Sequence, residues 1–182
     1  MPNWCYTNYA FKGKGLDKFK NSILPILDEA SREKGCNYFL GDLLDNYNIP
    51  KDSGVMEGYG CRGWINYYED NGDWLSIDVE DAWGPHTEVF DAILTKFPDV
   101  DYVYMAEEPG CEIYINTDTS GDYFDIRYRA VFEMDDKDIW EDAWFTTKEE
   151  AMEWLNEMAK ENGLEGELVE GENYYLYEYE TE

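Results

Sequence analysis

Four glutamates in the C-terminal part of the sequence recur at every fourth position: Glu149, Glu153, Glu157 and Glu161. On a helix, residues four apart share one face and lie about 6 Å from each other, so this spacing predicts a row of carboxylates. Like charges at this spacing destabilise a helix by roughly 0.2 to 0.5 kcal/mol per pair. DNA carries about one negative charge per 1.7 Å of duplex axis. The row therefore predicts an anionic surface that imitates phosphates and binds a basic partner.

The last residues of the chain alternate tyrosines with glutamates. In an extended strand, side chains two positions apart share a face at intervals of about 6.7 Å. This places Glu178 and Glu180 on one face and Tyr177 and Tyr179 on the other. Rings beside carboxylates can meet a basic partner through cation–π contact and ion pairing, so we assign these four residues to the partner-binding surface.

The densest acidic run lies at residues 135–142 (DDKDIWED). Carboxylate oxygens suit hard divalent cations, but this run fits neither the spacing of an EF-hand nor its required glycine. We assign Asp135, Asp136 and Asp138 to the partner-binding surface, and we expect no metal and no cofactor. A metal-dependent enzyme with an acidic cleft near residues 135–142 is the alternative.

The sequence offers few groups for catalysis. His86 is the only histidine, and its spacing marks no nucleophile or further ligand beside it. The cysteines, Cys5, Cys36, Cys61 and Cys111, contain no close pair and match neither a zinc site nor a disulfide framework. Glycine motifs for nucleotides are absent. We therefore expect a non-enzymatic protein with reduced thiols in a bacterial cytoplasm, with a Cys–His pair formed in space as the alternative.

The net charge excludes several classes of protein. The 182 residues include 14 basic and 42 acidic side chains, which give −28. Residues 1–100 contribute −8 and residues 101–182 contribute −20. Such a chain repels phosphate, so we expect no direct nucleic-acid binding. The charge also exceeds the magnitude of about 2 to 8 that serves solubility in a small domain, although an acidic surface that serves only solubility remains an alternative.

Hydrophobic periodicity and turn residues predict an α+β protein. No run of about 18 apolar residues is present, so no membrane contact is expected. Asn71-Gly72 predicts a tight hairpin, on which Asp78 and Glu80 repeat the alternating carboxylate pattern. Pro25 should kink the first helix or split it near Ser22. The predicted strands are 4–12, 64–68, 74–80, 101–106, 111–116, 123–134 and 143–146, with paired strands in 167–182; the predicted helices are 16–34, 40–44, 87–97 and 147–162.

The first six main elements follow the order β-α-β-β-α-β, which defines the ferredoxin-like unit with its antiparallel sheet. We expect a single domain, with a ferredoxin-like core at residues 1–130. A strand-rich acidic extension that carries one helix is expected at residues 131–182.

Short motifs in the same region resemble those of the YubB-type ferredoxin-like proteins of phages and conjugative plasmids. The motifs are residues 1–5 (MPNWC), 81–86 (DAWGPH), 96–99 (KFPD) and 108–110 (EPG). The resemblance covers roughly residues 1–130 and implies an accessory protein of a mobile element, with no catalytic residues. The long insertion after the first helix and the C-terminal extension depart from the family pattern.

Size, acidity and aromatic content are also similar in overall character to those of a type II-A anti-CRISPR protein. The sequence thus predicts a non-enzymatic inhibitor that presents a DNA-mimicking acidic surface to a nucleic-acid-handling defence nuclease. RNA-guided nucleases have positively charged channels for their duplexes, which such a surface could obstruct. An anti-restriction DNA mimic is the nearest alternative.

Overall fold

The computed structural model describes residues 3–34, 38–50, 62–134, 137–164 and 166–181. The chain divides into two compact units, Met1–Ile113 and Tyr114–Glu182. Helices combine with antiparallel sheets in the described residues, so the predicted α+β class is confirmed. No helix in these residues is long and apolar enough to cross a membrane.

The first unit is built on a sheet with the order β2-β3-β4-β1-β5-β6. The boundary between the two units falls inside β6. Strands β1 and β4, β1 and β5, and β3 and β4 pair antiparallel. The elements are β1 (Trp4–Lys12), α1 (Leu16–Lys34), β2 (Tyr38–Phe39), α2 (Leu40–Asn46), β3 (Gly63–Asp70), β4 (Leu75–Ala82), α3 (Thr87–Leu94), β5 (Asp101–Glu108) and β6 (Ile113–Asn116).

The core of this unit lies between the sheet and its helices. Alternation along β1 turns Tyr9 and Phe11 inward, and both are fully buried. The ring of Phe11 lies 5.0 Å from Phe19 of α1, and the ring of Tyr9 lies 4.7 Å from Phe90 of α3, centroid to centroid. Because these helices pack on the same inward-facing side chains, they cover the same face of the sheet.

Helix α1 runs without a break from Leu16 to Lys34 through Pro25, so of the two predicted effects, a kink or a split near Ser22, the split does not occur. An internal proline costs about 3 kcal/mol through a lost hydrogen bond and a clash. Phe19 and Ile23 before the proline and Leu27 after it are all buried. Burying each such side chain contributes about 1.5 to 3 kcal/mol, so packing outweighs the local defect.

The predicted hairpin joins β3 and β4. Gly72 has φ 83°, as the Asn71-Gly72 pair predicts. Oδ1 of Asp70 accepts hydrogen bonds from the Gly72 amide at 2.9 Å and from Nζ of Lys20 at 2.8 Å. Lys20 also donates to the Gly72 carbonyl at 2.8 Å, so one side chain of α1 fixes the turn.

The second unit is a sheet with the order β8-β7-β9 and one helix packed on it. Ala130 and Phe132 of β7 are fully buried against Ala151 and Leu155 of the helix. The elements are β7 (Tyr128–Met134), β8 (Ile139–Phe145), α4 (Lys148–Glu161) and β9 (Tyr174–Glu178).

The strand predicted at residues 123–134 begins only at Tyr128. Asp118 holds the preceding residues in a loop, where its Oδ2 accepts from the amides of Tyr123 at 2.7 Å and Phe124 at 3.0 Å. Burial alone would raise the pKa of Asp118, but these bonds and one from Ser120 outweigh burial and lower the pKa to about 2. Hydrogen bonds between the Asp118 carboxylate and nearby backbone amides are therefore favoured over strand pairing in this segment.

Strand β7 is the centre of the second unit, since it pairs antiparallel with both β8 and β9. The expected boundary between core and extension, at residues 130 and 131, falls inside this strand, whereas the two units divide between residues 113 and 114. In the tail, β9 is one strand paired with β7, so its partner comes from the middle of the chain.

Candidate functional site

The acidic helix α4 begins and ends at well-defined caps. Oγ1 of Thr147 accepts from the Glu150 amide at 3.2 Å, and Oε2 of Glu150 accepts from the Thr147 amide at 3.1 Å. This is the capping box that the sequence predicts. At the other end, Nζ of Lys137 donates to the carbonyl of Asn162. Carboxylates near the first turn and an ammonium at the last both suit the helix dipole.

One face of α4 is committed to packing. Ala151 and Leu155 are fully buried, and Met152, Trp154 and Met158 pack partly buried against the same cluster. Helical periodicity therefore turns the intervening positions toward solvent.

The four predicted glutamates occupy that solvent-facing side. Glu149, Glu153, Glu157 and Glu161 are all exposed, and no salt bridge within the described residues involves them. The first and last of them are twelve positions apart, or about 18 Å along the helix axis. The structure thus carries the row as an exposed line of carboxylates on a capped helix.

The tail contributes to the same side of the second unit near the start of α4. Glu178 and Glu180 are exposed. The pKa of the Tyr128 hydroxyl is raised, first by partial burial and then by the negative charges of Glu178 and Glu149. Glu178 and Glu149 also line one open cleft of about 440 Å³, with Tyr128 and Lys148. The helix row and the tail therefore converge at Tyr128.

The two predicted tyrosines differ in where they lie. Tyr179 is only 3% exposed, and Tyr177 stacks on Tyr114 with ring centroids 4.4 Å apart. Strand alternation puts Tyr177 on the opposite face from Leu176 and Glu178, and Leu176 packs toward α4. Tyr177 therefore serves the packing of the unit, whereas the buried Tyr179 borders the cleft that Glu149 and Glu178 line.

The acidic run at residues 135–142 is only partly described. Asp135 and Asp136 lie outside the described residues, and Asp138 is exposed at a turn with φ 53°. Asp142 accepts from Nε of Arg129 at 3.1 Å and from Nη2 at 2.6 Å, so its charge is compensated. In the described part of the chain, no group of three or more His, Cys, Asp or Glu residues is placed to hold a metal ion.

Other cations of the second unit are used internally. The guanidinium of Arg127 donates to the carbonyls of Phe124, Ile126 and Asp118. Arg129 is paired with Asp142. Arg127 lines the cleft beside Glu149 and Glu178, Lys137 lies at the end of α4, and Lys148 and Lys160 lie on the helix itself. The exposed side of α4 consequently keeps a strong negative potential.

Sequence reasoning missed a buried polar group in the first unit. Asp81, at the end of β4, is fully buried; its Oδ2 accepts from Oγ1 of Thr7 at 3.4 Å and from the His86 amide at 3.3 Å. Its Oδ1 has no hydrogen-bond partner among the described residues. A Cβ atom added at Gly63 would lie 2.1 Å from this oxygen. Burial raises the pKa of Asp81 to about 7. The only sequence signal was its place in the 81–86 motif.

His86 and Cys5 border this group. His86 occupies the position that begins α3, and its Nδ1 lies 3.1 Å from Oε1 of Glu88, which raises the pKa of the imidazole. Burial raises the pKa of the Cys5 thiol to about 12, so the thiol stays protonated and is a poor nucleophile. Cys111 is exposed, and Cys36 and Cys61 lie outside the described residues.

Comparisons of this chain with family models, curated proteins and solved structures found no match.

Proposed function

We propose that this chain is a non-enzymatic inhibitor of a nucleic-acid-handling defence nuclease, and that it binds a basic channel of the nuclease as a DNA mimic. The observation that carries the proposal is the row of four exposed carboxylates on a capped helix, joined near Tyr128 by Glu178 of the tail. In its most specific form, the proposal is an anti-CRISPR protein of a phage or other mobile element. Its target is then the type II-A RNA-guided nuclease in the cytoplasm of the host bacterium.

The charge density supports mimicry of one nucleic-acid strand. The helix row places four charges in about 18 Å of axis. A DNA strand carries one phosphate per 3.4 Å, or about five over the same length. With Glu178 added beside the start of the helix, the surface approaches the charge of a single strand. A groove lined with Lys and Arg for one strand is therefore the best complement.

The arrangement of the first unit supports the mobile-element assignment. The strand order β3-β4-β1-β5, with α1 and α3 on one face, is the order expected for a ferredoxin-like core. The YubB-type resemblance of residues 1–130 implies a fold of this kind. In the proposal, the first unit serves as the scaffold and the second presents the acidic surface.

The experiment is a pull-down with a panel of CRISPR and restriction nucleases, followed by a DNA cleavage assay with any nuclease that is retained. We expect retention at low salt and loss at high salt, because the contacts are charge pairs screened within about 10 Å at 0.1 M salt. The variant E149Q/E153Q/E157Q/E161Q should raise the concentration needed for half inhibition by at least about tenfold.

The matched control is D17N/D73N/D99N/E112Q. It removes the same number of charges from exposed positions of the first unit. It should inhibit nearly as well as the wild type. Equal loss of inhibition in both variants would show that bulk charge is responsible, and failure to retain any nuclease at low salt would refute the mimicry.

A further inference from the structure

The face of the first sheet that points away from α1 and α3 carries rings and carboxylates in register. In an antiparallel pair, residues directly opposite each other share a face and lie about 5 Å apart. Tyr6 of β1 is opposite both Glu80 of β4 and Glu107 of β5. Glu80 is in turn opposite Trp64 of β3. One row across four strands therefore alternates a carboxylate, a ring, a carboxylate and a ring.

A second row lies beside the first. Asp78 is opposite Asn8 on one side and Tyr67 on the other. The register of β3 shifts between Ile65 and Tyr67, so a β-bulge sets Tyr67 beside Asp78 on the outward face. Bulges commonly re-aim a side chain in this way.

Two of the three rings are exposed, whereas Trp64 is half-buried beside Trp4 and Phe39. Tyr6 and Tyr67 are 59% and 52% exposed. The pKa of the Tyr67 hydroxyl is raised, first by the negative charge of Glu69 and then by partial burial, with Asp78 adding to the effect. Oε2 of Glu80 accepts from Nδ2 of Asn66 of β3 at 3.1 Å, which orders this carboxylate.

We propose that this outer sheet face binds an arginine-bearing segment of a partner protein. A guanidinium is planar, stacks on an aromatic ring and can bond a carboxylate with two parallel N–H groups. The two rows supply both groups at neighbouring positions and contain no lysine or arginine. The outer sheet face is defined by Glu107, Tyr6, Glu80, Trp64, Asp78 and Tyr67.

Charge decides against other occupants. A nucleic acid could stack on exposed rings, but its phosphates would face Glu80, Glu107 and Asp78. A second copy of this chain carries a net charge of −28 and would be repelled. A lysine segment has the right sign, but its ammonium lacks the planar surface that stacks on Tyr6. The proposal does not depend on the function proposed for α4, since the two surfaces lie on different units.

The test titrates the full chain, at low salt, with two peptides of equal length. One carries four arginines separated by glycines and the other carries four lysines in the same places. Fluorescence anisotropy should show the arginine peptide binding at least about fivefold more tightly to the wild type. Tyr6→Thr should abolish that preference, and E80Q/E107Q should weaken the arginine peptide by about tenfold.

The matched variant E153Q/E157Q removes two charges from α4 instead. It should weaken both peptides equally and keep the preference for arginine. Amide shifts in the NMR spectrum of the wild type, which need no variant, should map to Tyr6, Tyr67 and Glu80. Equal binding of the two peptides, or shifts confined to α4, would overturn the proposal. Either result leaves the nuclease assay unaffected, because that assay measures DNA cleavage and not peptide binding.

Discussion

Burial controls the ionisation of Asp81. Desolvation raises its pKa, and the nearby carboxylate of Glu88 adds to the rise, whereas His86 and the hydroxyl of Thr7 oppose it. Because a charged carboxylate is costly in an apolar environment, the folded protein binds a proton at this position more tightly than the unfolded chain does. Folding stability should therefore depend on pH through this one residue.

Replacing Asp81 with asparagine should raise the free energy of unfolding at pH 8 by about 1 to 3 kcal/mol, because asparagine removes the buried charge. The penalty in the wild type is absent below the ordinary pKa of 3.8, grows as pH rises and is complete above about 7. The difference between the two proteins should therefore shrink as pH falls toward 4. Urea unfolding followed by circular dichroism across this pH range measures it.

Asp73→Asn is the control, since Asp73 is exposed in the turn that precedes β4. Its unfolding free energy should follow that of the wild type across the same range. A D81N curve parallel to the wild type would show that Asp81 does not titrate as its burial requires.

Exposure of single residues could be predicted from sequence only where local periodicity decides it. The alternation of Ala151 and Leu155 with the glutamates of α4 made the acidic row predictable. The burial of Tyr179 could not be predicted, because its ring lies against Tyr114, which is far away in the sequence. The pairing of Asp142 with Arg129 depends in the same way on the register of two strands.

The acidic row of α4 works against the stability of its own helix. Exposed like charges at this spacing cost roughly 0.2 to 0.5 kcal/mol per pair. The variant E153Q/E157Q should therefore stabilise the second unit by about 0.5 to 1 kcal/mol while weakening binding to a basic nuclease. Thermal unfolding and the cleavage assay, run on the same samples, measure both effects.

Thr147→Ala provides the opposite case. It should lower stability by about 1 kcal/mol through loss of the capping bond, yet leave the four carboxylates in place.

If E153Q/E157Q destabilises the protein instead, these glutamates make structural contacts and the row is not a free surface.

Elements with local signals were predictable and elements set by distant partners were not. Strand β1 and helix α4 have clear periodicity and caps, and the structure confirms both. Strand β8 was predicted only at residues 143–146 but spans Ile139–Phe145, because its pairing with β7 extends it. Residues 123–127, predicted as strand, belong instead to the loop after β6, because the Asp118 carboxylate binds amides that a strand would have used.

At the scale of the whole chain, the negative charge is concentrated in the smaller unit. Residues 1–113 hold 9 basic and 21 acidic side chains, and residues 114–182 hold 5 and 21. The net charges are −12 over 113 residues and −16 over 69 residues. The net charge per residue is therefore more than twice as large in the second unit.

Added salt should stabilise this protein. Raising sodium chloride from about 0.01 M to 1 M shortens the screening length from about 30 Å to 3 Å. Since repulsion outweighs the few ion pairs, the free energy of unfolding should rise by on the order of 1 kcal/mol. The gain should be smaller for E149Q/E153Q/E157Q/E161Q, which carries four fewer charges. A loss of stability on adding salt would mean that ion pairs, and not repulsion, dominate the folded state.

Because Asp81 lies so close to Gly63, the order in which these two positions are substituted matters. While Asp81 is present and held by Thr7 and the His86 amide, alanine at position 63 would collide with its carboxylate. If position 81 first becomes serine or glycine, that space opens and alanine at 63 becomes acceptable. The double substitution is therefore tolerated if position 81 changes first, but not if position 63 changes first. Evolution at these two positions depends on that order.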